Sequence, residues 1–278
     1  LLPAGNVLGG SYIPAEVVQI GHNLKGNTVA VGRDFSESYN YSLNGGIGFG
    51  ANNGHSSNHD VVVGKDNTGG ILFQPQYGSA AGIIFGNKNI QHGFKTYPAG
   101  NKGYGTASYG NIMIGRLNQA NATQKSIVMG RGNHSGQIFN SPVLQPMKTQ
   151  YNVIVGGKNR DSFGHRSLTI GYNNISNSPS GKNPTTGGLG LSQKGVSVIG
   201  YKNEKRAGHF NVIIGANNTQ LSNSPSGDSI NVIGRSNTVT GTRSSIIGYS
   251  NTGAFSKSVA IGDNINQKVT ATKSLTSG

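Results

Sequence analysis

The sequence predicts an all-β protein, a parallel β-roll of stacked coils of about 14 residues each. A short motif recurs along the whole chain: two or three apolar residues, a glycine, two variable residues and an asparagine, as at 83–89, 153–159 and 245–251. The basic spacing between these glycines is 14 or 15 residues, and the residue before the glycine is apolar in every unit. A coil of that length accommodates two short strands and two tight turns.

Each unit is anchored by the glycine that follows its apolar residues. The fifteen anchors are Gly9, Gly21, Gly32, Gly50, Gly64, Gly86, Gly115, Gly130, Gly156, Gly171, Gly200, Gly215, Gly234, Gly248 and Gly262. Gaps longer than the basic spacing predict insertions near 65–85, 87–111, 131–151 and 172–196. Residues 1–266 are therefore expected to form a repetitive body, and residues 267–278 its C-terminal end.

The apolar strand of each unit is predicted to be covered on both faces. The residue just before the anchor is always apolar, which predicts that it faces the core. The residue before that one is also apolar in most units, as in Ile84, Ile154 and Ile213. Near-continuous apolar strands are typical of parallel sheets buried on both sides. The chain has too few other apolar residues to supply the second cover, so we expect an obligate homo-oligomer.

The turn after each apolar strand is predicted from its glycine and asparagine. Both residue types tolerate a positive φ, and stacked asparagines can form hydrogen-bonded ladders. Asparagine stands three residues after the anchor in eleven of the fifteen units. The predicted structural corner residues include Gly86, Gly115, Gly130, Gly156, Gly171, Gly200, Gly215, Gly234, Gly248, Gly262, Asn118, Asn133, Asn159, Asn203, Asn237 and Asn251.

Composition limits the class of protein and of partner. The chain has no cysteine, which excludes a disulfide framework, and it has no apolar run long enough for a membrane-spanning helix. Lysine and arginine outnumber aspartate and glutamate by 23 to 9, giving a formal net charge of +14. That excess favours anionic partners such as acidic glycans, and it is equally compatible with a solvated face that keeps a repetitive protein soluble.

The repeat resembles the YadA-like head of trimeric autotransporter adhesins. The residues that carry the resemblance are Ser258-Val259-Ala260-Ile261-Gly262 and the glycine seven residues before other anchors, as at Gly164, Gly208 and Gly241. The resemblance implies a left-handed roll, a homotrimer, display at the outer membrane of a Gram-negative bacterium and attachment to host matrix or cells. The family's collagen-linked motif is incomplete, with Lys257 and Ile265 at two of its positions, so collagen binding is not predicted. Residues 267–278 could begin a neck.

The insertions are the predicted binding surface, since recognition residues commonly lie on loops held by a rigid scaffold. The residues predicted to bind ligand mix cations with aromatic rings, which suits acidic glycans, matrix proteins or a host cell receptor. They are Phe94, Lys95, Tyr97, Lys102, Tyr104, Tyr109, Arg116 and Arg131. The alternative is that the insertions only pad the roll. No specific nucleic-acid partner is expected.

Catalysis, metals and cofactors are not expected. Asp161, His165 and Ser167 lie close in sequence, but nothing in the pattern orients a nucleophile. The histidines and carboxylates lack ligand spacing. Hexapeptide acyltransferases have a six-residue period that spacings of 14 and 15 do not fit, and ice-binding solenoids need a regular threonine array. The alternative function kept beside the adhesin head is the receptor-binding tip of a trimeric phage fibre or other surface appendage.

Overall fold

The computed structural model describes residues 19–24, 28–37, 46–55, 61–71, 82–92, 110–121, 123–136, 149–161, 164–176, 193–206, 209–221, 229–271 and 274–277. Within these ranges the chain is all-β, with long parallel sheets and no helix, which confirms the predicted all-β class. Accordingly, these ranges hold no helix of the length and apolarity needed to cross a membrane. The chain divides into two compact units, unit 1 (1–132 and 139–146) and unit 2 (133–138 and 147–278).

Unit 1 contains a parallel sheet that carries the anchor glycines and a second parallel sheet beside it in sequence. Its strands are β1 Gln19–Leu24, β2 Thr28–Glu37, β3 Gly46–Ala51, β4 Gly54–His55, β5 Val61–Lys65, β6 Thr68–Ile71, β7 Ile83–Asn87, β8 Ile90–His92, β9 Ile112–Arg116, β10 Gln119–Asn121, β11 Thr123–Gln124 and β12 Ile127–Arg131. The glycine sheet pairs β1, β2, β3, β5, β7, β9 and β12 in that order. The second sheet pairs the end of β2 with β4, then β6, β8 and β10.

Unit 2 repeats this plan. Its strands are β13 His134–Gly136, β14 Thr149–Gln150, β15 Val153–Gly157, β16 Arg160–Asp161, β17 Gly164–His165, β18 Leu168–Tyr172, β19 Ile175–Ser176, β20 Gln193–Lys194, β21 Ser197–Tyr201, β22 Glu204–Lys205, β23 Val212–Ala216, β24 Thr219–Gln220, β25 Asn231–Arg235, β26 Thr238–Thr242, β27 Ser245–Tyr249, β28 Thr252–Ser256, β29 Ser258–Asp263, β30 Asn266–Ala271 and β31 Ser274–Ser277.

In unit 2 the glycine sheet pairs β15, β18, β21, β23, β25, β27, β29 and β31. The second sheet pairs β13, β16, β19, β22, β24, β26, β28 and β30. A short third sheet pairs β14, β17 and β20. Within each unit, consecutive turns of the chain therefore contribute parallel strands to the same sheets, an arrangement compatible with a β-solenoid.

The anchor glycines lie in register from strand to strand. Gly21 pairs with Gly32 and the column continues to Gly130 in unit 1, and a second column runs from Gly156 to Gly262 in unit 2. Numbering each repeat from its glycine as position 0 puts equivalent side chains above one another. We call one such turn of the chain a rung.

Two corners per rung are made by residues with positive φ. One is position +2, where Lys88, Lys202 and Asn217 have φ between 51° and 55°. The other is position −5, where Lys125, Arg166 and similar residues adopt the same left-handed conformation. The two tight turns expected of a 14-residue coil are thus present. The prediction that the asparagine at +3 has the positive φ is wrong, because the residue before it makes the turn.

The asparagine at +3 points inward and joins consecutive rungs. Asn203 is buried, and its Nδ2 donates to the carbonyl oxygens of Ile199 in its own rung (3.1 Å) and Gly215 in the next (2.8 Å). Its Oδ1 accepts from the backbone N–H of Asn218 at 3.1 Å. The Nδ2 bond to the glycine carbonyl of the next rung repeats at Asn53, Asn67, Asn89 and Asn118 in unit 1 and at Asn159, Asn174, Asn218, Asn237 and Asn251 in unit 2.

The asparagine ladder ends at the rung of Gly262. Ile265 occupies the +3 position there, and its backbone N–H donates to Oδ1 of Asn251 at 2.9 Å. The Ile265 side chain packs against the apolar core of unit 2 and offers no amide to a following rung.

The apolar strand of each rung contributes position −2 to the core, while position −1 points outward. Val62, Ile84, Met113 and Val128 in unit 1 are fully buried, as are Ile154, Val198, Ile213, Val232 and Ile246 in unit 2. The prediction that the residue before the glycine faces the core is wrong in this chain, because alternation along the strand turns that residue outward.

Candidate functional site

An apolar ridge runs along the outer face of the glycine sheet in each unit. In unit 1 the ridge is Phe49, Phe85, Ile114 and Met129, and in unit 2 it is Ile170, Ile214, Ile233, Ile247 and Ile261. These side chains, all at position −1, keep between 36% and 47% of their surface exposed in the single chain. The ridge is continuous because the strands that carry it pair in register. A row of large apolar side chains this regular is typical of an interaction surface.

Two tyrosines and two lysines form a cluster at the margin of the ridge in unit 2. Tyr172 and Tyr201 stand opposite each other in β18 and β21, with ring centroids 6.0 Å apart and planes inclined by 12°. The Nζ of Lys158 lies 5.5 Å from the Tyr172 ring centroid, and that of Lys202 lies 5.1 Å from the Tyr201 ring centroid. Cations at these distances are attracted by the ring faces. The cluster offers exposed rings and ammonium groups at one place.

A set of cations lines the equivalent corner of unit 1. Arg116 and Arg131, both predicted to bind ligand, stand directly opposite each other in β9 and β12, and both are exposed. Lys65 and Lys88 continue the set in the two preceding rungs. We call Lys65, Lys88, Arg116 and Arg131 the corner cation row.

A column of polar side chains lies inside the second sheet of unit 2, at position +5. Ser135, Asp161, Ser176, Lys205 and Gln220 are all fully buried and follow one another over five paired strands. Burial lowers the pKa of the Lys205 ammonium from 10.5 to about 7, and the charge of Asp161 opposes this shift. Two ionisable groups thus sit in an interior where apolar residues are usual.

The residues that could suggest a catalytic triad are distributed over different elements. Asp161 is in the second sheet, His165 is in the third, and Ser167 is buried at the corner before β18. The His165 ring contacts the Tyr151 ring edge-on at 6.0 Å. Among the described residues no group of three or more His, Cys, Asp or Glu is placed to hold a metal ion.

Several predicted binding residues lie outside the described residues, namely Phe94, Lys95, Tyr97, Lys102, Tyr104 and Tyr109. Of the predicted ligand-binding set, the structure therefore describes Arg116 and Arg131. The tyrosine–lysine cluster was missed because its members are far apart in sequence. The signal that could have found it is position +1, where tyrosine recurs at Tyr172, Tyr201 and Tyr249.

Comparison of the chain with protein-family models, with curated proteins and with solved structures finds no match.

Proposed function

We propose that this chain is the head of a trimeric bacterial surface adhesin, a left-handed parallel β-roll displayed at the outer membrane of a Gram-negative bacterium. It attaches to host extracellular matrix or to cell-surface glycans and proteins, and it has no catalytic role. The resemblance of the repeat to YadA-like heads supports the class. The observation that carries the proposal is the apolar ridge on the outer face of a stack of parallel rungs.

The ridge favours assembly from identical chains. Its side chains repeat at the spacing of neighbouring strands, about 4.8 Å. A second copy of the same stack presents side chains at the same spacing, so the two ridges can interdigitate over their whole length. Three copies around one axis would form a closed assembly in which every ridge is covered by its neighbours. The covered ridge completes the two-sided burial expected of a parallel sheet.

The polar margins of the same face supply the proposed binding surface. The tyrosine–lysine cluster combines aromatic rings with positive charge, and the corner cation row adds four further charges. Aromatic and cationic side chains are enriched at the energetically important positions of interfaces. Both sets lie on regular strands and tight corners, which hold them in fixed positions for a ligand.

Light scattering of the purified chain tests the assembly. A trimer has three times the 28.8 kDa of the chain, about 86 kDa. The variant Ile233→Asp with Ile247→Asp places two charges on neighbouring ridge positions and is expected to give monomers. Its matched control is Thr238→Asp with Thr252→Asp, two paired positions of the second sheet, which should remain trimeric. A monomeric wild-type chain contradicts the proposed assembly.

A binding panel tests the adhesive function. Immobilised matrix proteins and sulfated or sialylated glycans are probed with the wild-type protein at low and at high salt. Binding that weakens as salt rises is expected, because exposed charges are screened over about 8 Å at physiological ionic strength. If the trimeric protein binds no member of the panel and no host cells at either salt, the head is a spacer and the adhesive proposal fails.

A further inference from the structure

The corner cation row is held at fixed spacing by backbone pairing. Position +1 of four consecutive paired strands is occupied by Lys65, Asn87, Arg116 and Arg131. Where asparagine interrupts the column, Lys88 follows it at the corner, and its backbone N–H donates to the carbonyl oxygen of Lys65 at 3.0 Å. Every rung from Gly64 to Gly130 therefore presents one cation at the same corner. At the strand spacing of about 4.8 Å, the row spans roughly 14 Å.

The row has little compensating negative charge among the described residues. Among the described residues, the ion pair that the structure shows joins Arg206 to Glu204, and it lies in unit 2, away from the row in sequence. At the row itself the one acid is Asp66, and its carboxylate accepts a hydrogen bond from Nδ2 of Asn52 at 3.0 Å. Arg116 and Arg131 are like charges directly opposite each other in neighbouring strands, an arrangement that is destabilising. A ligand that brings negative charges at the same spacing relieves this repulsion.

We propose that the corner cation row binds a linear sulfated polysaccharide laid along the stack, with successive anionic groups opposite successive rungs. The inference rests on the proposed adhesive function and names its ligand class. One sugar ring of an extended polysaccharide has a length comparable to the strand spacing, so a sulfate or carboxylate on each ring meets one cation per rung. Arginine suits sulfate because its guanidinium presents a planar fork of donors.

The composition of the row favours a glycan over a nucleic acid. Proteins that bind single strands place aromatic side chains beside their cations, so that the bases can stack. The non-cationic residues at +1 and +2 of these four rungs are Asp66, Asn87, Leu117 and Gly132, which provide no ring. Positions +1 and +2 therefore offer charge at regular intervals without a ring, and the exposed Phe85 of the Gly86 rung lies at position −1, on the ridge that the proposed trimer covers.

The affinity of the row for its ligand is expected to depend steeply on salt. In nucleic acids each neutralised phosphate contributes about 0.7–0.9 to the slope of log K against log salt, and the same counterion release applies to any linear polyanion. Four contacts therefore predict a slope of about −3. Loss of all four should weaken binding at least about ten-fold at low salt and flatten this slope.

The experiment measures binding of the trimer to an immobilised heparin dodecasaccharide at several salt concentrations. The row variant is Lys65→Gln, Lys88→Asn, Arg116→Gln and Arg131→Gln, with asparagine chosen at 88 because that residue has φ 53°. The matched control removes four cations from the opposite corner: Lys125→Asn, Arg166→Asn, Arg243→Asn and Lys257→Asn, all positive-φ positions. Both variants lower the formal net charge from +14 to +10.

The inference is supported if the row variant loses at least about ten-fold in affinity while the control loses less than about three-fold. Equal losses in the two variants, or no binding of wild type to the dodecasaccharide, overturn it. Equal or tighter binding to a single-stranded DNA of the same charge overturns the assignment to a glycan. Light scattering accompanies each measurement, and a row variant that no longer forms trimers overturns the inference, because it shows that the row belongs to the subunit interface.

The same preparations separate this inference from the adhesive function. If the wild-type trimer binds matrix proteins or host cells, and the row variant binds them and heparin equally well, the adhesive function stands and the proposed role of the row is rejected. A wild-type trimer that binds nothing rejects both.

Discussion

Removing one asparagine of the ladder is expected to break the connection between two rungs. In Asn203→Ala, the carbonyl oxygens of Ile199 and Gly215 lose a donor. The backbone N–H and side-chain amide of Asn218 lose their acceptor, Oδ1 of Asn203, which lies 3.1 Å from both nitrogens. The two asparagines are buried, since Asn203 has 1% of its surface exposed and Asn218 has none, and the carbonyl groups of Ile199 and Gly215 belong to half-buried residues.

The size of the effect follows from those bonds. A buried polar group left without a partner costs about 1–3 kcal/mol, and a typical intramolecular hydrogen bond contributes about 1 kcal/mol. The lost acceptor at Asn218 and the two lost donations together predict a decrease of roughly 3–5 kcal/mol in the free energy of unfolding. Asn203→Asp should cost at least as much at neutral pH, because the introduced carboxylate oxygen faces two carbonyl oxygens.

Urea unfolding followed by circular dichroism measures the total change, and hydrogen exchange locates it. In a repeat array each rung contacts mainly its neighbours, so exchange should accelerate most at 197–206 and 212–221. The control is Asn231→Ala, a half-buried asparagine at position −3, which should change stability by no more than about 0.5 kcal/mol. The reasoning fails if Asn203→Ala is as stable as Asn231→Ala.

Three further predictions test other parts of the rung. Gly215→Ala, whose Cβ would lie 1.8 Å from the carbonyl oxygen of Gly234 at a φ of +126°, should lose at least about 3 kcal/mol in urea unfolding; a loss below about 1 kcal/mol contradicts the packing. Thr169→Val replaces a buried hydroxyl that has no hydrogen-bond partner among the described residues, and should raise the free energy of unfolding by about 1 kcal/mol; a decrease would show that the hydroxyl is satisfied. Burial lowers the pKa of Lys205 in the folded protein to about 7, below the ordinary lysine value of 10.5. Between these values the unfolded chain binds a proton that the folded chain has lost, so stability should rise from pH 7 towards pH 10.5, by up to about 5 kcal/mol. The double variant Lys205→Met with Asp161→Ser should flatten that rise, and an unchanged pH profile would show that another group controls it.

The sequence predicted the stacking but not the direction of its side chains. Glycine spacing and the recurring asparagine were enough to predict parallel strands, because a residue that must turn the chain recurs once per coil. The inward face was assigned wrongly because positions −2 and −1 are both apolar, as in Ile213 and Ile214, so the period of two is hidden. In the single chain the −1 residues remain at the surface, and the local sequence carries no signal that distinguishes the inward from the outward apolar position.

The buried polar column and the cation sets could not be predicted for a different reason. Asp161 and Lys205 are 44 residues apart in sequence, and only the register of three paired strands brings them into one interior. Arg116 and Arg131 were identified individually as ligand-binding candidates. Their place in a row with Lys65 and Lys88 depends on strand pairing, which brings residues at unequal distances in sequence onto neighbouring rungs. Spacing in sequence therefore does not measure spacing along the stack.

Ile265 ends the asparagine ladder one rung before the glycine sheet ends, because β31 still pairs with β29 in the following turn of the chain. Each asparagine of the ladder donates its side-chain amide to the next turn of the chain. A ladder that ended on another asparagine would leave donor and acceptor groups with which the edge strand of another molecule could pair. The aliphatic side chain of Ile265 at position +3 ends this series of hydrogen bonds, while the backbone N–H of Ile265 still donates to Oδ1 of Asn251. Replacing Ile265 with asparagine would place a side-chain amide at this position, before the following turn of the chain in which β31 pairs with β29.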